Sequence, residues 1–441
     1  MTDFTLPGVV LSDAIGRLAA LGAQTVVITG DSITQQMGYT DNVITQFDIS
    51  YAVWANAVMG GRFTFLNNAR VGSTRSDTML ANMDEKVLAY QPDWCWMLIG
   101  ANDANASTGT SAEIIAGFKT NVSAAIAKCR AAGVRVLIGT IMPTLSSNTS
   151  WSAERVYRVH TMNSWIRALP HTYPGLVVAD FAAALVDPTS ATGQPKSGYL
   201  QADDGIHPSH KGAYYMGLVV KEALEGITPK APRLVASVTD TYGYNSAGQQ
   251  MFDNPLFTTT SGGTNSTSGT ITGTVPGGCT LLKSGTWGSA YGASDTVARA
   301  DGFGNDWRVT VTNTGANEDN LSLSSFNLSA RFAAGDKVFA TASVAASGLA
   351  QWKGASFFVE STSGSTTYRA GALERATTDD PAAAVGTFFQ GDHEVTLVTG
   401  VLTIPEGFSS FYWRARPRWI AAGGTGVVRI GRVGIWKIPA A

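Results

Sequence analysis

The chain is poor in cysteine, in charge and in long apolar runs, and each scarcity excludes a class of protein. Its three cysteines, Cys95, Cys129 and Cys279, lie far apart in 441 residues and form no CxxC pair, which excludes a disulfide framework and a cysteine-ligated zinc site. Charged residues make up 15% of the chain and the formal net charge is −2, whereas a nucleic-acid binder normally carries a basic stripe. No uninterrupted apolar stretch is long enough to span a bilayer. None of the five histidines belongs to an HExxH motif, so we predict no metal, no other cofactor, no nucleic-acid partner and no membrane span.

One local basic cluster and two of the cysteines have simple structural interpretations. The "RARPR" segment, Arg414 to Arg418, alternates its arginines with other residue types, which predicts the solvent-facing side of a strand. Cys95 lies inside the apolar run "WCWMLIG" and Cys129 lies in a predicted helix. Both cysteines are therefore expected to be small buried residues.

The first half of the chain alternates short apolar runs with long helical patterns. The apolar runs cover residues 25–30, 63–69, 94–100, 134–141 and 176–181, and the helical patterns cover 76–90, 111–132, 152–168 and 209–225. Buried strands that alternate with helices form right-handed βαβ units and a parallel sheet covered on both faces. We predict a three-layer α/β/α domain over residues 1–228.

The second half of the chain has a different pattern. Residues 229–252 have few periodic apolar positions and are interpreted as a linker. Residues 253–441 contain many short alternating runs separated by Gly, Ser, Asn and Asp, a pattern typical of an antiparallel sandwich or jelly roll. We therefore predict an all-β domain after the linker.

Small polar residues follow the predicted strands of the first half. They are Ser32 after the first strand, Gly72 after the second, Asn102 after the third, and Asp204 with His207 just before the last helix. Because the carboxyl ends of parallel strands meet at one edge of an open sheet, we expect these residues to converge there.

This set of residues suits acyl transfer. A serine hydroxyl becomes a good nucleophile when a histidine takes its proton, and the histidine needs a carboxylate to fix its tautomer. Ser32, His207 and Asp204 can fill these roles, and the Ser32 and Gly72 N–H groups with the Asn102 amide can form an oxyanion hole. Each piece by itself is more typical of a turn, an Asx motif or a helix cap than of catalysis. The order of the four pieces, each at a strand end, favours catalysis.

The four pieces together resemble the blocks of the SGNH hydrolases, also called the GDSL family. "GDSIT" is similar to the first block, "NNARVGST" to the second, "GAND" to the third and "DGIHPS" to the last. The resemblance covers residues 20 to 228 and implies an SGNH-like fold, with Ser32, Asp204 and His207 as the triad and with Gly72 and Asn102 in the oxyanion hole. The second block departs from the family pattern at Ala69 and at Ser73, where the family often has other small or acidic residues. No G-x-S-x-G nucleophile elbow is present in the chain, which excludes the ordinary α/β-hydrolase arrangement.

The resemblance leaves the substrate open. The residues of the first and last blocks resemble those of the sugar-acetylesterase branch. Six tryptophans of the β-domain can either stack on sugar rings or fill the sandwich core. These tryptophans are Trp287, Trp307, Trp352, Trp413, Trp419 and Trp436. The first hypothesis is a serine esterase that removes O-acetyl groups from a polysaccharide, with a β-domain that binds the glycan or anchors the enzyme. The alternatives are a lipid or thioester esterase, and an inactive glycan-binding or structural protein.

The Gly/Ser/Thr-rich β-region also resembles bacteriophage tail proteins that deacetylate a host surface glycan. That resemblance implies a homo-oligomer, a trimer, in a virion tail. Residues 1–24 show no basic segment followed by an apolar core, so no signal peptide is predicted. The alternative is an extracellular protein from which a signal peptide has been removed. The localisation is therefore left open between a virion tail and the extracellular space.

Several neighbouring residues are given structural roles. Asp31 and Asp103 are expected to hold their loops by accepting hydrogen bonds from backbone N–H groups. His210, one helical turn beyond His207, is expected to face solvent. Tyr214 and Tyr215 are expected to pack a helix against the sheet.

Overall fold

The computed structural model describes most of the chain. The described residues are 5–6, 9–10, 24–34, 37–39, 43–69, 72–148, 151–231, 234–240, 249–268, 270–284, 291–313, 319–374, 388–419 and 423–438. Among them, no helix is both long and apolar enough to cross a bilayer.

Within the described ranges, the helices lie in the first half of the chain, apart from one short 3₁₀ turn. They are α1 (Tyr51–Val58), α2 (Ser76–Ala81), α3 (Met83–Lys86), α4 (Ala101–Ala104), α5 (Ser111–Ala131), α6 (Ala153–Thr172), α7 (Phe181–Leu185) and α8 (His210–Leu224), with 3₁₀ turns at Leu88–Tyr90 and Ser329–Arg331.

The strands are short in the first half and long in the second. The strands up to residue 179 are β1 (Thr5–Leu6), β2 (Val9–Val10), β3 (Gln24–Gly30), β4 (Met37–Tyr39), β5 (Val43–Phe47), β6 (Phe63–Asn68), β7 (Trp94–Leu98), β8 (Arg135–Gly139) and β9 (Val177–Ala179). The later strands are β10 (Gln249–Gln250), β11 (Thr264–Asn265), β12 (Ile271–Gly273), β13 (Cys279–Ser284), β14 (Tyr291–Ala298), β15 (Asn305–Asn313), β16 (Asp319–Ser325), β17 (Lys337–Ala350), β18 (Trp352–Ser363), β19 (Thr366–Glu374), β20 (His393–Val398), β21 (Leu402–Thr403), β22 (Phe408–Trp419) and β23 (Gly424–Ile438).

Five strands of the first half form one sheet in the order β6-β3-β7-β8-β9. All four neighbouring pairs are parallel. The central strand β7 is buried along its whole length, because a parallel sheet carries helices on both faces. All five carboxyl ends therefore lie at one edge of the sheet.

The helices agree with the sequence patterns, with one exception. α5 begins at a capping box, in which Thr110 accepts from the Glu113 N–H and Glu113 accepts from the Thr110 N–H. The pattern over 76–90 predicts one helix, but the chain forms α2, α3 and a 3₁₀ turn there. The interruption begins at Asn82, whose N–H bonds back to the carbonyls of Thr78 and Met79.

The described residues of the second half form mainly β-strands. One eight-stranded sheet has the order β12-β14-β15-β23-β17-β20, with β10 on β23 and β21 on β17, and the other has the order β11-β13-β16-β22-β18-β19-β5-β4. Together with the parallel sheet of the first half, this confirms the predicted fold class, an α/β domain followed by a β-rich region. Burial alternates along β22 as predicted, and Arg414, Arg416 and Arg418 share its less buried side, but the three arginines are half-buried and do not simply face solvent.

The chain divides into two compact units, and their bounds differ from the predicted domains. The first unit comprises 1–37, 49–55 and 62–230, and the second comprises 38–48, 56–61 and 231–441. The second unit thus includes Gly38–Asp48, where β5 pairs in parallel with β19. It also includes the described residues of the predicted linker from Ala231 onward.

Five of the six tryptophans proposed for sugar stacking lie in the core of the second unit. Trp307, Trp352, Trp413, Trp419 and Trp436 are each at most 2% exposed. These side chains fill the interior and are not available to stack on a sugar ring. The sixth, Trp287, lies outside the described residues.

Candidate active site

The turn after β3 places Ser32 at the edge where the parallel strands end. Gly30 has φ +152°, and a Cβ there would lie 2.0 Å from the Leu98 carbonyl oxygen of β7, so glycine is required by the close approach of the two strands. The Asp31 N–H donates to that same carbonyl at 3.4 Å. Ser32 follows and is half-buried.

The Asp31 side chain stabilises this turn by a hydrogen bond. Its Oδ1 accepts from the Ile33 N–H at 3.0 Å, which confirms its predicted structural role. Its Oδ2 is buried and has no hydrogen-bond partner among the described residues. Burial raises the pKa of Asp31 to about 7, against the opposing effects of the Ile33 N–H and of the charge on His207.

Asp204 and His207 form a hydrogen-bonded pair on one short loop. Asp204 Oδ2 contacts His207 Nδ1, while Asp204 Oδ1 accepts from the backbone N–H groups of Ile206 at 2.8 Å and His207 at 3.0 Å. Burial would raise the pKa of Asp204, but these hydrogen bonds outweigh it and hold that pKa below its ordinary value. An ionised Asp204 fixes the tautomer in which Nδ1 carries the proton, so that Nε2 is the proton acceptor.

A neighbouring loop supports the Asp204–His207 pair. The Leu145 N–H donates to the Gly205 carbonyl at 2.9 Å, and the Asn148 side-chain amide donates to the Asp204 carbonyl. Gly205 has φ +65°, and a Cβ there would lie 2.8 Å from Leu145 Cβ. Glycine at this position lets the loop lie against Leu145.

Asn102 and Asp103 join the third motif to the second. Asn102 Nδ2 donates to the Thr74 carbonyl at 3.0 Å. Asp103 is buried and accepts from the Ser76 N–H and, at 2.6 Å, from the Ser76 hydroxyl, which confirms its predicted role in holding a loop. The first residue of α2 is thus fixed to the short helix α4 that carries Asn102.

Gly72 lies on the surface, two residues before Thr74. It is exposed, and the left-handed conformation in this turn belongs to Ser73, with φ 58°. The turn therefore presents its backbone to solvent near Asn102, as an oxyanion donor would require. The roles of Ser32, Gly72, Asn102, Asp204 and His207 in catalysis stay predictions.

The residues around this edge differ from expectation in one case. His210 is 4% exposed, so the prediction that it faces solvent is wrong; the first turn of α8 packs against the protein. Tyr214 is buried and packs edge-on against Trp54, and Tyr215 stacks on Tyr199. Cys95 and Cys129 are buried as expected.

The described part of the chain has no group of three or more His, Cys, Asp or Glu side chains placed to hold a metal ion. A half-buried serine, an imidazole oriented by a carboxylate and a nearby side-chain amide together suit the formation and hydrolysis of an acyl-serine ester.

The contribution of the neighbouring loop was not foreseen from the sequence. Leu145 and Asn148 follow β8, and nothing in their local pattern distinguishes them from an ordinary surface loop. Their role depends on hydrogen bonds to a loop more than fifty residues later, which a local sequence pattern does not encode.

The parallel sheet gives the first unit an α/β fold, and a family match gives its class. Residues 28–214 match the GDSL-like lipase/acylhydrolase family, and this part of the chain belongs to that family of SGNH hydrolases. Membership indicates a carboxylic ester hydrolase.

Several solved structures are similar to the chain at low identity. The lipase/acylhydrolase from Enterococcus faecalis is 23% identical, with 47% of this chain and 98% of that chain covered at a TM-score of 0.36. A GDSL-like lipase from Bacteroides thetaiotaomicron is 16% identical, with 49% and 96% covered at 0.36. The acetyl xylan esterase AlAXEase is 19% identical, with 45% and 99% covered at 0.36. No relative was found among curated proteins.

Proposed function

We propose that the first unit removes O-acetyl or other short acyl groups from a polysaccharide through a covalent acyl-serine intermediate. The observation that carries the proposal is the Asp204–His207 pair at the same sheet edge as Ser32. The resemblance of the first and last motifs to the sugar-acetylesterase branch supports the choice of substrate.

In this mechanism Ser32 Oγ attacks the ester carbonyl while His207 accepts its proton. Asp204 orients the imidazole and stabilises its positive charge. The backbone N–H groups of Ser32 and Gly72 and the Asn102 amide stabilise the oxyanion of the tetrahedral intermediate. His207 then returns the proton to the leaving alcohol, and water hydrolyses the acyl-serine by the same steps in reverse order.

The role of the second unit is part of this proposal. We expect it to bind the glycan or to anchor the enzyme, and the buried tryptophans leave that binding to other residues. A trimeric tail protein of a virion is the assembly that the Gly/Ser/Thr-rich region favours, and the mass of the protein in solution tests it.

Hydrolysis of nitrophenyl acetate and nitrophenyl octanoate by the wild type and by Ser32→Ala tests the proposal. We expect activity on the acetate, a loss of several orders of magnitude in Ser32→Ala, and no loss in Ser164→Ala, an exposed serine on α6. A preference for the octanoate would instead favour the lipid esterase.

Covalent labelling by a fluorophosphonate separates an active enzyme from an inactive binding protein. Labelling of the wild type at Ser32, and its loss in Ser32→Ala, is the expected result. A folded wild type that takes no label would contradict the serine mechanism.

A further inference from the structure

The first unit contains a cavity of about 120 Å³ near the edge of the sheet that carries the candidate site. It lies beyond the ends of β8 and β9 and is lined by the loop that starts at Ile141 and by residues of α6 and α7. Its walls are partly apolar, from side chains such as Val156 and Val159. An engineered cavity of similar size, about 150 Å³, is known to accept a benzene ring.

A buried arginine lines this cavity without an acidic partner. Arg155 is 4% exposed, and its Nε donates to Asn105 Oδ1. Among the described residues no carboxylate forms an ion pair with Arg155, and burial lowers its pKa to about 10. A buried cation is costly unless it is paired.

Another buried arginine of the same helix has hydrogen-bond acceptors for its guanidinium. Arg158 is 7% exposed and donates to Glu154, to the Ser111 hydroxyl and to two backbone carbonyls. The terminal nitrogens of Arg155 lack such acceptors within the described part of the chain.

A second polar group in the cavity is also unsatisfied. Thr144 lines the cavity at 3% exposure, and its buried hydroxyl has no hydrogen-bond partner among the described residues. Asp180, the partner of the lining residue Arg167, uses both carboxylate oxygens on that arginine. Asp180 therefore does not compensate the charge of Arg155.

We propose that this cavity binds the carboxylate group of an organic acid or acidic sugar. A guanidinium matches the two oxygens of a carboxylate with parallel hydrogen bonds, the Thr144 hydroxyl adds a third donor, and the apolar walls accept the carbon skeleton. His160 and Arg167, both exposed, also line the cavity.

The position of the cavity connects it to the candidate site. Thr144 directly precedes Leu145, whose N–H donates to the Gly205 carbonyl between Asp204 and His207. A carboxylate carried by the substrate would thus be held next to the loop that positions the acid–base pair. This last step, unlike the binding itself, rests on the proposed esterase function.

Isothermal titration of the full-length protein with D-glucuronate, and with D-glucose as the neutral control, tests the binding. We expect glucuronate to bind and glucose not to bind. Thr144→Val, a nearly isosteric change, should weaken glucuronate binding about tenfold through the loss of a hydrogen bond to a charged group, and Arg155→Met should abolish it.

The matched control is Thr161→Val on α6. Its hydroxyl donates to the Tyr157 carbonyl, and the residue does not line the cavity, so we expect binding like that of the wild type. Absence of glucuronate binding to the wild type, equal binding of glucose, or an unchanged affinity in Thr144→Val would each overturn the proposal. The Thr144 variant keeps the test decisive if Arg155→Met fails to fold.

The carboxylate can belong to the substrate or to a free effector. The hydrolysis of acetylated glucuronic acid, compared with that of acetylated glucose, distinguishes these two sources. A carboxylate of the substrate gives a preference for the acidic sugar that falls about tenfold in Thr144→Val. A free effector gives no preference while glucuronate still binds. Binding of glucuronate without any hydrolysis would support the carboxylate site and count against the esterase function alone.

Discussion

At the scale of single residues, Asn102 is the side chain with which oxyanion stabilisation can be tested apart from the triad. Its Nδ2 donates one hydrogen to the Thr74 carbonyl, and an amide carries a second hydrogen that can bind an oxyanion. We expect Asn102→Ala to lower kcat about a hundredfold or more and to leave KM nearly unchanged, because the interaction forms only in the transition state.

The control for Asn102 is Asn121→Ala. Asn121 donates to the Ser76 hydroxyl at 3.1 Å and so supports the same region without a role in the oxyanion hole. Steady-state kinetics should show a smaller loss for this variant. An effect of Asn102→Ala on KM alone would contradict the oxyanion assignment.

Asp31 is expected to make the stability of the protein depend on pH. Its pKa is raised from 3.8 to about 7 by burial, so the folded protein binds this proton more tightly than the unfolded chain does. Stability therefore falls as pH rises from about 4 to about 7, by about 1.4 kcal/mol for each unit of pKa difference. Asp31→Asn keeps an acceptor for the Ile33 N–H and removes this titration.

Chemical denaturation of the wild type and Asp31→Asn at about pH 4 and about pH 8 measures this effect. The variant should gain stability relative to the wild type between the two pH values. Asp203→Asn, the removal of an exposed carboxylate, should show no such gain. A difference between wild type and Asp31→Asn that stays constant with pH would show that Asp31 does not titrate in this range.

The site residues that the sequence predicts are recognised from short segments of the chain. Asp204 and His207 are three residues apart, and Ser32 follows a strand that its own composition defines, so local patterns suffice to find them. Arg155 and Thr144 were not predicted, because their significance depends on missing partners in a folded interior. The position of His210 was wrong because the amphipathic pattern of α8 does not show what covers its first turn.

At the scale of elements, the loop that carries Asp204 and His207 depends on Gly205. Its φ of +65° disfavours any other residue, and a Cβ would collide with Leu145 at 2.8 Å. Gly205→Ala should therefore move the acid–base pair and reduce turnover more than it reduces stability, for which we expect a cost of about 1–2 kcal/mol from the backbone conformation.

The matched control is Gly133→Ala, after α5. Gly133 has a similar φ of +74°, and nothing lies within 4 Å of a Cβ there. Kinetics and thermal unfolding should show a loss of stability in both variants, larger in Gly205→Ala because its Cβ also collides with Leu145, and a loss of activity only in Gly205→Ala. Equal activity in both would show that the contact with Leu145 does not position the loop.

Strand and helix positions in the first half follow from apolar periodicity, whereas β4 and β5 do not. Residues 37–47 have no strong strand pattern of their own, and β5 pairs with β19, more than three hundred residues later. A pairing of such long range is invisible to a local reading of the sequence. The predicted helix over 76–90 is interrupted at Asn82, which the apolar periodicity of that stretch does not indicate.

At the scale of the whole molecule, the change of pattern near residue 228 predicts an α/β domain followed by a β-rich region, and this fold class is confirmed. The two compact units are nevertheless not continuous in sequence, because Gly38–Asp48 belongs to the second unit. The segment leaves the first unit only a few residues after Ser32. A single cut in the chain therefore does not separate the two units.

A chain that ends at Lys230 tests this arrangement. It keeps β4 and β5 but lacks β19, so the hydrogen-bonding edge that β5 presents to β19 is left unpaired. Unpaired strand edges promote association between molecules, and we expect this shortened chain to form oligomers or aggregates in size-exclusion chromatography with light scattering.

A second shortened chain, in which a short Gly/Ser linker replaces residues 38–48, should behave as a discrete species and keep its fluorophosphonate labelling at Ser32. If the chain ending at Lys230 is instead a discrete species that unfolds at the temperature of the second shortened chain, the segment 38–48 does not depend on the second unit.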